Sequence, residues 1–81
     1  MDDALLWERL TNVFRNVFGR ETIAIDPDTT SNDIEEWGSL NHLELVLAVQ
    51  GEFGVRLKPV EVASFANVGD MMAAIKGRMA A

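Results

Sequence analysis

One serine and one histidine carry most of the chemistry open to this chain of 81 residues. Ser39 and His42 stand three residues apart, close enough to approach each other on one helical turn. A histidine in reach of a serine hydroxyl can act as its base, which is the arrangement of a hydrolase. A nucleophile turn of the G-x-S-x-G kind needs glycine on both flanks, and those positions here hold Trp37 and Asn41. No strand pattern leads into Ser39, no third group is placed to orient His42, and so short a chain leaves little room for an oxyanion pocket. His42 is therefore read as a solvated helix residue, and no residue is assigned a catalytic role. Acids give the second candidate chemistry. Aligning Asp26 and Asp28 to the first two ligands of a calcium loop puts Ser31 where a glycine is required and Trp37 where a bidentate glutamate is required. No metal site is assigned; Asp33, Glu35 and Glu36 offer at most weak, non-specific divalent binding.

The elements that must position Ser39 can be read in order. Asp2 or Asp3 can cap a first helix running to about Phe18, with Leu6, Leu10, Val13 or Phe14, and Val17 at helical spacing and Gly19 as its stop. Trp7, Phe14 and Phe18 are read as core packing rather than a ligand box. From Arg20 to Gly38 no period holds. Ile23, Ile25, Ile34 and Trp37 look like anchors for a long loop whose middle, Asp26 to Asp33, is rich in turn formers. A loop of this length must recross the domain if the two long helices it joins run antiparallel or nearly so.

Ser39 is then the expected N-cap of a second long helix, which should end at Gly54. Within it Leu45, Val49 and Phe53 form one face. Leu40, Leu43 and Leu47 form another, apolar and at least partly available to something other than the core. Val55 to Lys58 reads as an extended link, Pro59 as the first turn of a short helix reaching no further than Ser64, and Asn67 to Asp70 as the start of a last helix. There Val68, Met71 or Met72, Ile75 and Met79 keep helical register, and Gly77 weakens its end.

Composition narrows the function classes. Seven basic and thirteen acidic residues give a net charge of −6, which disfavours nucleic acid and anionic membrane surfaces and favours basic partner surfaces. With no cysteine there is no disulfide, no protein thiolate and no cysteine-based metal site. The start Met1-Asp2-Asp3 lacks the basic opening and apolar run of a signal peptide, and no apolar run approaches a membrane span. A monomeric cytoplasmic protein forming one domain over residues 1–81 is the expectation.

The stretch Trp37-Gly38-Ser39-Leu40-Asn41-His42-Leu43-Glu44-Leu45-Val46, followed by Glu52-Phe53-Gly54-Val55, resembles the serine motif and following helix of acyl carrier proteins. The resemblance extends over most of the chain. It implies an all-α bundle of three long helices and one short one, with a long loop between the first two long helices. It implies a 4′-phosphopantetheine arm joined to Ser39 through a phosphodiester, with acyl groups held as thioesters on the arm's thiol. It makes the second long helix a docking face, with Leu40, Leu43, Glu44 and Leu47 meeting partner enzymes. Those partners are a phosphopantetheinyl transferase, an acyl- or aminoacyl-loading ligase or transferase, and a consuming synthase. The sequence departs from the family where an aspartate ordinarily precedes the serine; that position is Gly38. Asn41, Gln50 and Gly51 stand where acids are frequent in the family, so docking should lean on shape and apolar contact more than on charge. The reading is a discrete acyl carrier for fatty-acid, polyketide or related specialised biosynthesis. An aminoacyl or peptidyl carrier, and an unmodified helical interaction module that has lost the arm, stay open beside it.

Overall fold

The computed structural model describes residues 2–80, apart from the side chains of Ser39 and Ala80. The described residues form four helices and no strand: α1 (Asp3–Phe18), α2 (Ser39–Phe53), α3 (Pro59–Ala63) and α4 (Val68–Ala80). Three are long and one is short, and the longest connection joins α1 to α2. None is long and apolar enough to cross a membrane.

α1 begins where Asp2 turns its carboxylate back on the N–H of Ala4 at 3.3 Å. It ends at Gly19, whose φ of 67° is the left-handed conformation that lets its N–H reach the carbonyl of Arg15. Leu6, Leu10, Val13, Phe14 and Phe18 make its buried stripe, so Val13 and Phe14 both face inward. Phe14 is fully buried, a side chain that contributes about 2–3 kcal/mol by its removal from water.

The loop holds its course by successive turns. Thr29 N–H donates to Asp26 O, Asp33 N–H to Thr30 O, and Trp37 N–H to Ile34 O, all at 3.0–3.1 Å. Ile23 and Ile34 are buried, while Ile25 and Trp37 pack partly buried against the core. Thr29 is buried although polar, and its hydroxyl explains why: it accepts from Asp26 N–H at 2.9 Å and donates to Asp26 Oδ1 at 3.3 Å. The loop is fastened to α4 by Val68 N–H donating to Thr29 O at 2.8 Å and Gly69 N–H to Pro27 O at 3.0 Å.

α2 turns Leu45, Val49 and Phe53 into the core. Its far end is tied to α1 by Arg9, which donates to the Glu52 carboxylate at 2.7 Å and to the Glu52 carbonyl at 2.6 Å, with its guanidinium over the Phe53 ring. Beyond Gly54, which has a φ of 65°, the link is held by Gln50, whose Oε1 accepts from Leu57 N–H at 2.8 Å. α3 starts on Pro59 and buries no residue. α4 opens with Asn67 Oδ1 accepting from Asp70 N–H at 2.9 Å. Met71, Met72 and Ile75 are all buried, so neither methionine is the sole inward one. The helix runs through Gly77 to Ala80.

Candidate functional site

The junction between the loop and α2 differs from expectation by one residue. Ser39 is the first helical residue, and the cap is Gly38, in extended backbone with φ −99° and ψ −176°. The reason is the first helical hydrogen bond, from His42 N–H to Gly38 O at 2.8 Å, which starts the ladder at Gly38. A glycine has no side chain to offer, so no side-chain cap holds the N–H groups of the first turn, and that turn contains no acid. The orientation and exposure expected of the Ser39 hydroxyl lie outside the described residues. A Cβ added at Gly38 would meet nothing within 4 Å, so the position next to the serine is open.

The junction is braced from both sides. Asn41 Nδ2 donates to Glu36 O at 2.7 Å, and Glu36 Oε2 pairs with Arg20 Nε at 2.9 Å. Trp37 Nε1 donates to His42 Nδ1 at 2.9 Å. The Trp37 indole in turn packs edge-on against Phe14, centroids 5.3 Å apart at 84°. His42 is thus not the solvated residue expected from sequence. It is half-buried and anchored through Trp37 to the core. Trp37 and His42 are five residues apart, one in irregular backbone, so periodicity could not pair them. Ser31, Trp37, Gly38 and His42 line a depression of about 340 Å³ in front of the junction.

The outward face of α2 lies where the sequence places it. Leu40 is 73% exposed, Leu43 59% and Leu47 60%, and Glu44 is exposed among them. Sequence reasoning missed what two of these leucines border. Leu43, Val46 and Leu47 form one wall of an apolar groove of about 520 Å³, and Leu57, Pro59 and Val62 form the other. Three elements build that groove, and only the Leu57, Pro59, Val62 spacing hints at it in sequence. On α3, Glu61 faces Arg78, 3.0 Å away, and that hydrogen bond holds its carboxyl below the usual carboxylate range. The acids considered for cation binding do not gather. Asp33 accepts from Thr30 N–H at 2.9 Å, and no cluster of three His, Asp or Glu fit for a metal exists among the described residues.

The junction suits an anionic group. It has an uncapped helix start, an unobstructed Cα at Gly38 and no acid in the first turn, beside a mainly apolar groove that His42 and Gln50 also line. Comparison with known proteins agrees. Residues 8–75 match the family described as the phosphopantetheine attachment site. Acyl carrier protein 2 of Ralstonia nicotianae is 26% identical over 81 residues, all of this chain and all of that one. The solution structure of a holo acyl carrier protein from Geobacter metallireducens superposes with a TM-score of 0.85 at 30% identity, covering 91% of this chain and 85% of the other.

Proposed function

The chain belongs to the phosphopantetheine attachment family, carriers rather than catalysts, and from that membership we propose that it is an acyl carrier whose arm is attached at Ser39. The 4′-phosphopantetheine group supplies, when bound, the thiol on which an acyl group rides as a thioester, a function for which the chain has no cysteine of its own. One observation carries the choice of residue. Ser39 is the serine at the start of α2, between the open Gly38 and a helix whose outward leucines border the apolar groove.

The residues then divide the work. Gly38 leaves room beside the attachment point. The Leu40, Leu43, Glu44 and Leu47 face meets partner enzymes, mainly by apolar contact. Leu43, Val46, Leu57 and Val62 offer a dry wall to an aliphatic cargo. That lining favours acyl groups of fatty-acid or polyketide type over the polar amino acids of a peptidyl carrier. Tethering replaces free diffusion of the cargo by a local encounter at an effective concentration of about millimolar. The partners are a phosphopantetheinyl transferase, a loading ligase or transferase and a consuming synthase. An unmodified interaction module is the second reading, favoured only by Gly38 at the position ordinarily held by aspartate.

Incubation with coenzyme A and a broad-specificity transferase tests the proposal. Gain of one phosphopantetheine by the parent protein and none by Ser39→Ala supports it. Equal gain by both, or none by either, refutes it.

A further inference from the structure

Resting on that reading of Ser39, we propose that His42 is a positioning residue for the arm, its Nε2–H donating to the phosphodiester that joins the arm to α2. Trp37 Nε1 can only donate, so the His42 Nδ1 that faces it at 2.9 Å must carry a lone pair. The proton of the neutral ring is therefore on Nε2. The ring planes differ by only 18° with centroids 6.0 Å apart, and the closest contact is the 2.9 Å bond between ring nitrogens, so the rings meet side by side through that bond. The two imidazole nitrogens flank Cε1 from opposite sides, and Nε2–H points away from the indole. No hydrogen bond to Nε2 is made among the described residues.

The described surroundings of that donor hold no charged acceptor. His42 borders both the depression that contains Gly38 and the apolar groove between α2 and α3, so it stands where the two meet. Residues three apart on a helix share a side, with Cβ atoms about 5–6 Å apart, which puts a phosphate on Ser39 within reach of His42. The other residues lining these spaces, Ser31, Gly38, Val62 and Leu43 among them, carry no charge. Of the acids on the packed elements, Glu36 pairs with Arg20 and Glu61 with Arg78. Glu44, on α2 itself, projects into solvent. Because Trp37 is wedged against Phe14, the ring is held from the core and the donor has a fixed direction. Protonation puts a hydrogen on Nδ1, abolishes the bond from Trp37 and leaves a charge-assisted donor at Nε2. The placement of the arm should follow the state of the ring.

Phosphorus NMR of the holo protein tests this, with intact mass first establishing one arm per chain. A phosphodiester takes up no proton near neutral pH, and His42 is the one histidine present. The proposal expects the phosphorus resonance to move with pH in step with the His42 ring signals, and to stay flat in folded, loaded His42→Gln. A histidine that only braces Trp37, with its ring remote from the phosphate, would leave the phosphorus unmoved. A flat phosphorus signal while His42 titrates, or movement that survives His42→Gln, overturns the role of His42 and leaves the carrier assignment standing. Failure to load any arm removes the carrier assignment, and this proposal with it.

Discussion

Gly69 lies directly under the carbonyl of Pro27. Its N–H donates to that oxygen at 3.0 Å, and a Cβ on Gly69 would come within 2.8 Å of it. The carbonyl cannot withdraw cheaply, since the neighbouring bond from Val68 N–H to Thr29 O at 2.8 Å fixes the same stretch of loop. Alanine in place of helical glycine ordinarily stabilises by about 0.8–1 kcal/mol. Here the clash with backbone should prevail. Gly69→Ala is expected to destabilise by about 1–3 kcal/mol in urea unfolding. A gain in stability would mean that the loop rides on α4 without being fastened to it.

Gly38 presents the opposite case. Its backbone is ordinary extended chain, and nothing stands within 4 Å of a new Cβ. Gly38→Asp would supply the missing acceptor for the first-turn N–H groups, place a negative charge at the positive end of α2, and lower the entropy of the unfolded chain. A stabilisation of about 0.5–1 kcal/mol is expected, seen as a rise of a few degrees in Tm. If the same substitution also speeds loading by a transferase, the glycine limits recognition as well as capping.

Leu43 borders the apolar groove while remaining 59% exposed. Leu43→Asp should therefore change unfolding free energy by no more than about 0.5 kcal/mol. Binding of a loading enzyme should fall at least about tenfold, the effect of losing a central apolar contact of roughly 1.4 kcal/mol. Titration calorimetry with the partner reads the second effect and denaturation the first. Intact affinity on an intact fold would remove the docking role from this face.

Glu61 makes a prediction with a definite sign. The hydrogen bond from Arg78 holds its carboxyl below the usual range in the folded chain. A group depressed in this way adds stability above its unfolded pKa, and that contribution is lost as pH falls through the folded value. The pair is surface-exposed, so its effect on overall stability is small. Carboxyl NMR should show Glu61 titrating lower than usual in the parent and moving upward in Arg78→Gln. An unchanged titration would mean that the pair does not persist in solution.

How much of this was legible in the sequence depends on whether a feature belongs to one element or to several. The cap at Asp2, one of the two aspartates open to that role, the Gly19 and Gly54 stops, the Pro59 start and the Leu45, Val49, Phe53 stripe each belong to a single helix and stand where the sequence puts them. The outward leucines of α2 followed from the same periodicity. The cap moved from Ser39 to Gly38 because the first helical hydrogen bond, not the capping preference of serine, sets the boundary. Thr29 goes inside because a hydroxyl and a carboxylate three residues apart satisfy each other, which composition cannot reveal. The Trp37–His42 pair and the groove need tertiary placement: one joins irregular backbone to a helix, and the other is assembled from α2, the link and α3.

Fragmentation of the loaded protein shows directly which side chain carries the added mass. Cleavage after Arg20 and Arg56 releases Ser31 and Ser39 in one peptide, and Ser64 lies outside it. Fragments containing Ser39 are expected to retain the phosphopantetheine mass, and fragments holding Ser31 without Ser39 to be bare. An adduct on Ser31 or Ser64, or a folded protein that stays unmodified with every transferase tried, would contradict it.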